Sequence, residues 1–151
     1  MEKGSGRAAA DVAAGRGGAT LTARLGLQPG QVVQEFGYDS DVDDDLRMAI
    51  EDAIDGELAD EGSFDDVADV GLLWWRDDDG DLVDALVDVL TNLADRGAVL
   101  LLCPKSGREG HVQASEIEEA ALTAGLHATS TVSAGADWIA TRLVAPKGGR
   151  R

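Results

Sequence analysis

Val67-Ala-Asp-Val-Gly-Leu-Leu-Trp-Trp75 and, further along, Ala98-Val-Leu-Leu-Leu-Cys103 decide the fold. Both runs are apolar without alternation, and that is how a strand buried on two faces reads. Between them Leu82, Ala85, Leu86, Val89, Leu90 and Leu93 form one stripe at helical spacing. Asp84, Asp88, Thr91, Asn92 and Asp95 form the opposite stripe, and Gly97 is placed to end the helix. A strand, an amphipathic helix and a second buried strand make a parallel pair joined by a crossover.

The pattern extends in both directions. Upstream, Pro29-Gly30 is a turn signal before the β-prone Val32-Val33-Gln34-Glu35-Phe36. Asp43, Asp44 and Asp45 then suit a helix N-terminus, and Leu46, Ile50, Ala53 and Ile54 predict a helix near 44–55. Downstream, Ser115 and Glu118 have capping-box spacing before the small stripe Ile117, Ala120, Ala121 and Ala124, which Gly125 stops. His127–Val132 and Trp138–Val144 are close enough to pair as an antiparallel hairpin, with the mixed polarity of a sheet edge. The order β-α-β-α-β-α-β-β predicts a three-layer, Rossmann-like α/β fold. Its sheet of about five strands should be mostly parallel, with a C-terminal antiparallel hairpin. A flexible tail is expected over residues 1–24, a single α/β domain over 25–146 and a basic tail over 147–151.

Composition narrows the function classes. The chain has 151 residues, 13 Lys plus Arg against 29 Asp plus Glu, and a net charge of −16. Such a chain repels nucleic acid. Its one Cys provides neither a disulfide nor a cysteine-based zinc site. No signal-type or membrane-spanning apolar stretch is present, so the expected location is the cytoplasm. Residues 35–95 hold 22 of the 29 acidic groups, with Arg47 and Arg76 as the only cations, an asymmetry that would steer the chain toward a basic protein surface.

Three groups of residues are candidates for a site. The loop Pro104-Lys-Ser-Gly-Arg-Glu-Gly-His111 follows a central strand, so it lies at the carboxyl edge where open α/β sheets bind ligands. It offers Lys105, Ser106, Arg108 and His111 to a small anion, with Trp75 as a stacking surface. Trp74 with Asp77, Asp78 and Asp79 is a candidate partner-binding patch; adjacent strand residues point to opposite faces, so at least one tryptophan belongs to the core. The acidic loop 39–45 fails the calcium-loop test, because the sixth residue from Asp39 is Asp44 and the twelfth is Ile50. No metal site and no nucleophilic set can be read: Cys103 ends a buried run, and His111 and His127 have no spacing to a nucleophile.

Leu25-Gly-Leu-Gln-Pro-Gly30 with the following strand, and the run from Asp69 to the last hairpin, resemble parts of class I methyltransferases. More closely, Asp43-Asp-Asp-Leu-Arg47, Leu73-Trp-Trp-Arg76, Gly80-Asp-Leu-Val-Asp-Ala-Leu86, Pro104-Lys-Ser-Gly107, Asp137-Trp138 and Arg142-Leu143 are similar to the small actinobacterial proteins of domain-of-unknown-function family 3052. The resemblance covers about Leu25 to Lys147 and implies a reduced methyltransferase-like fold without supplying a mechanism. A methyltransferase needs a glycine-rich loop after its first strand, so that backbone can approach the cofactor. Here Glu35-Phe-Gly-Tyr-Asp-Ser40 keeps one glycine and adds bulk and negative charge, and no second strand is readable before Val67. The chain therefore reads as a non-enzymatic binding or regulatory protein without a cofactor. Its expected partner is a basic protein or a second copy of itself. The alternatives are a sensor or enzyme for small anions at the carboxyl-edge loops, or a homo-oligomeric structural protein.

Overall fold

The computed structural model describes residues 20–60 and 66–145. The elements run β1 (Val33–Phe36), α1 (Asp44–Ile54), β2 (Ala68–Trp74), α2 (Leu82–Leu90), β3 (Leu93–Pro104), α3 (Ala114–Thr123), β4 (His127–Ala134) and β5 (Trp138–Val144). One five-stranded sheet has the order β1-β2-β3-β5-β4. β1 pairs with β2 and β2 with β3 in parallel, whereas β3–β5 and β4–β5 are antiparallel. The parallel and antiparallel pairings are thus equal in number, and β5 lies inside the sheet with β4 at the edge.

Two cores flank the sheet. On one face α1 contributes Leu46, Ile50 and Ile54 against Val70, Leu72, Trp74 and Leu100. On the other, α2 and α3 bury Leu86, Val89, Ile117 and Ala121 against Leu73, Trp75, Val99 and Leu101. The apolar runs follow from this, since residues 70–75 and 98–103 are all buried between the two helix layers. Residues 20–24 are helical, and Leu21 and Thr22 are buried. The ordered domain therefore starts before the expected boundary at 25, because Leu21, Leu25 and Leu27 close the first core. Residues 1–19 of the expected tail and the whole of 147–151 lie outside the described residues.

Crossover geometry explains an oddity of the topology. The path β1→β2→β3 advances in one direction, and two direct right-handed crossovers would put α1 and α2 on the same face. They lie on opposite faces. After α1 the chain first passes along the outer side of β1, where Ala59 forms a one-residue parallel bridge with Gln34. Glu35 N–H donates to the Ala59 carbonyl and Ala59 N–H to that of Val33, both at 2.8 Å. Only then does the chain return to β2. The free edge of β1 is thereby shielded, which matches the burial of all four of its residues.

Three boundary expectations are corrected. α2 ends at Leu90, not near Gly97, because Leu93 joins β3 opposite Ala68. Gly97 sits inside β3 at a register shift; a Cβ there would come within 2.7 Å of the Asp69 carbonyl oxygen, so glycine admits a close strand approach instead of stopping a helix. Ser115 lies within α3, whose N-cap is Gln113 without a side-chain bond, so the capping box does not form. The acidic cap of α1 is as expected, with Asp43 accepting from Leu46 N–H; Asp81, for which no cap was expected, likewise accepts from Val83 and Asp84 N–H at the start of α2. Among the described residues no helix is long and apolar enough to cross a membrane.

Candidate functional site

The carboxyl edge of β1, β2 and β3 opens into a crevice. Its walls are the turn after β1, the acidic turn after β2, the loop 104–111 and the start of β5. The turn after β1 leans against β2: Gly37 has φ +77°, and a Cβ there would lie 2.3 Å from the Trp74 carbonyl oxygen. Only glycine fits that approach.

Arg76 spans the crevice. Its Nη1 donates to the Gly37 carbonyl at 2.8 Å, the Trp74 carbonyl at 3.2 Å and an Asp79 carboxylate oxygen at 3.2 Å. Its Nε reaches Asp41 at 3.0 Å, and Nη2 pairs with the same carboxylate. The guanidinium also lies 5.4 Å from the ring centroid of Trp138. Burial disfavours the charged guanidinium, but the hydrogen bonds to Asp41 and Asp79 raise its pKa above the usual arginine value. The hydrogen bond from Arg76 in turn holds Asp41 below the usual carboxylate value.

Below this bridge, Glu35 is buried and fully engaged. Arg47 grips it with Nε at 2.7 Å and Nη2 at 2.9 Å, and Trp74 Nε1 donates to it at 2.9 Å. The bond to Glu35 keeps the Arg47 pKa above its usual value, and the same guanidinium lies over the Tyr38 ring at 4.8 Å. Trp74 meets Trp138 edge-on, with centroids 4.8 Å apart.

Two cavities flank Arg76. The first, about 460 Å³, lies between the turn after β1 and α2; Phe36, Tyr38 and Trp75 line it together with Asp39, Asp81, Asp84 and Asp88. The second, about 550 Å³, lies between Asp39, Asp41, Asp78, Arg108, Glu109 and Trp138. Among the described residues no group of three or more His, Cys, Asp or Glu side chains is placed to hold a metal ion.

The expected anion loop does not converge. Lys105 Nζ donates to the Gly135 carbonyl at 2.8 Å, Arg108 pairs with Asp137 at 2.7 Å, and His111 Nδ1 donates to the Pro104 carbonyl at 2.9 Å. Ser106 is exposed at the loop tip. Of these four only Arg108 lines a cavity, one whose carboxylates outnumber its cations. Trp75 lines the first cavity, which none of the four loop residues lines. Trp74 is completely buried, so it presents no surface to a partner, because its side of the sheet lies under α1. Asp77 and Asp78 are exposed, and Asp79 is held by Arg76. Cys103 is buried, which pushes its thiol pKa up to about 12 and leaves it inert.

Arg76, which bridges the crevice, is the residue of this region that sequence reasoning missed. Its signal was available as one of two cations in a long acidic run, but its partners Gly37 and Asp41 lie far upstream.

Solved structures with this architecture include the mitomycin 7-O-methyltransferase MmcR (TM-score 0.56, 15% identity, 89% of this chain and 54% of that one). The pyocyanin biosynthetic protein PhzM matches with TM-score 0.60 and 13% identity over 85% of this chain and 54% of that one. A SAM-dependent methyltransferase from Thiobacillus denitrificans, in complex with S-adenosyl-L-homocysteine, matches with TM-score 0.58 and 12% identity over 87% and 91%. The chain spans about half the length of the first two. At these identities the likeness is one of fold, a Rossmann-like methyltransferase architecture.

Relatives in sequence include Uncharacterized protein Rv2239c of Mycobacterium tuberculosis (strain ATCC 25618 / H37Rv). Another is Uncharacterized protein Mb2263c of Mycobacterium bovis (strain ATCC BAA-935 / AF2122/97). Each is 56% identical over 124 residues, covering 82% of this chain and 77% of the relative. With residues 22–147 matching the family described as "Protein of unknown function (DUF3052)", the chain belongs to that family.

Proposed function

We propose that this protein is a non-enzymatic binding module of methyltransferase-like fold, without a usable S-adenosylmethionine site, whose acidic carboxyl edge meets a basic surface on a protein partner. The observation that carries the reading is the Arg76 bridge. The guanidinium ties the Gly37 carbonyl, the Trp74 carbonyl, Asp41 and Asp79 together in the crevice where an open α/β sheet would seat its ligand. Two further features support it. Among the described residues, the outer side of β1, where further parallel strands would build the rest of a nucleoside pocket, carries only the Ala59 bridge. Glu35, the acid next to the turn, is fully occupied by Arg47 and Trp74.

The partner side rests on charge. Both cavities carry more carboxylates than guanidinium groups, and Arg76 and Arg108 are already ion-paired. A cation is therefore favoured over an anion at this edge. The cytoplasm is the proposed compartment.

A thermal-shift panel tests the reading. S-adenosylmethionine, S-adenosylhomocysteine and acyl phosphates at millimolar concentration should leave the melting point unchanged. A ligand at 100 times its Kd adds ~2.7 kcal/mol of stability, so a real site would be visible. A melting point raised by any of them overturns the proposal.

A further inference from the structure

The first cavity has chemistry specific enough to name its occupant. We infer that the cavity between Tyr38, Trp75 and α2 takes an arginine or lysine side chain from an extended basic segment of the partner protein. This rests on the reading above that the carboxyl edge meets a basic protein.

The volume of about 460 Å³ is at the small end of the ~300–1,000 Å³ of ligand sites. The cavity's acidic lining suits a cationic side chain better than a nucleotide, whose phosphate it would repel. Aromatic rings line it: Phe36 and Trp75, both largely buried, and Tyr38, which is 58% exposed and already lies under the Arg47 guanidinium. Aromatic faces attract a guanidinium or ammonium group.

Asp84 and Asp88 supply the charge. They stand one turn apart on the exposed side of α2, and neither carboxylate has an ion-pair partner among the described residues. That arrangement disfavours the helix on two counts. Like charges at i and i+4 repel. Asp88 also lies in the last turn, near the negative end of the helix macrodipole, and the last turn contains no basic residue. A cation bound between them would relieve both. The remaining acids have other duties: Asp81 caps α2, Asp79 holds Arg76, and Asp39 accepts from Ser40 N–H. The cavity's only cation, Arg76, is saturated by Asp41, Asp79 and two carbonyls. A guest cation would therefore find two free carboxylates beside the Phe36 and Trp75 rings, the Tyr38 ring being already engaged by Arg47.

The test is an NMR titration of the isotopically labelled full chain with the peptide acetyl-Gly-Arg-Gly-Arg-Gly-amide at low salt. It is run on the wild type, on Asp84→Asn/Asp88→Asn, and on Glu118→Gln/Glu119→Gln, which removes the same charge from exposed positions of α3. The expected result is that the Trp75 indole and α2 amides move, that the α2 double variant weakens binding about tenfold, and that the α3 variant binds like the wild type. Equal weakening in both variants, or none in the α2 variant, overturns the cavity assignment while the basic-partner reading stands. No binding at all, or equal binding of an acetyl-Gly-Glu-Gly-Glu-Gly-amide control, overturns both. Spermidine that matches the peptide in affinity and in dependence on Asp84 and Asp88 overturns the protein side chain as occupant in favour of a free polyamine.

Discussion

Replacing Arg76 with Met removes the bridge that holds the crevice together while keeping an unbranched stem in place of the arginine methylenes. Its pairs with Asp41 and Asp79 involve carboxylates that are 51% and 32% exposed, so each is worth only about 0.5 kcal/mol. The Gly37 and Trp74 carbonyls lose a charged donor but lie at the crevice, where water can replace it, at about 0.5–1 kcal/mol each. The contact with the Trp138 ring adds about 0.5 kcal/mol or more. Against these stands the relief of burying a guanidinium whose side chain is only 12% exposed. The balance is a loss of about 2 kcal/mol. With a urea slope of ~1–3 kcal/mol/M for small domains, the unfolding midpoint followed by tryptophan fluorescence should fall by about 1 M. Arg76→Lys should recover less than half of this, because an ammonium cannot serve Asp41 in a bidentate manner and the two carbonyls at once. Hydrogen exchange in residues 37–41 should quicken in both variants. A midpoint within about 0.2 M of the wild type, with exchange in that turn unchanged, would refute the bridge as the organiser of the crevice.

Other expectations follow from single residues. Gly37→Ala should cost about 3 kcal/mol or abolish folding, because it adds a clash with the Trp74 carbonyl to a φ of +77°; Gly30→Ala, with φ +89° and nothing nearby, should cost only about 1 kcal/mol, and chemical denaturation compares them. The Asp41 contribution is present above its ordinary value of 3.8 and is lost as pH falls through the lowered folded value. The stability gap between wild type and Asp41→Asn should therefore be flat above about pH 5 and close in more acidic buffers; a gap that closes already at neutral pH would contradict the assignment. Cys103, with its thiol pKa near 12, should stay unmodified by iodoacetamide at mildly alkaline pH and react only once the chain is unfolded, as mass spectrometry would show.

What the sequence revealed depended on the range of each interaction. β2 and β3 were legible because burial on two faces leaves a continuous apolar run, and the acidic cap of α1 because capping is local. The end of α2 was misjudged because Leu93 continues the helical stripe yet is claimed by pairing with Ala68. The Ala59 detour left no pattern, since one bridged residue has no periodicity. At the site, Lys105, Arg108 and His111 looked convergent because they are neighbours in sequence. Lys105 in fact donates to the Gly135 carbonyl and Arg108 pairs with Asp137, both brought in from downstream by the hairpin, and His111 turns back to Pro104. Arg76 looked like a stray cation for the converse reason: its partners Gly37 and Asp41 come from the turn after β1.

Titration calorimetry of the wild-type chain with S-adenosylmethionine tests the central claim most directly. With Arg76 spanning the crevice and, among the described residues, a single bridge in place of further strands beyond β1, no saturable heat should appear at any concentration up to about 1 mM. A one-to-one isotherm of micromolar affinity, abolished by substitution at Gly37 or Asp39, would make the protein a cofactor-binding transferase and contradict the account.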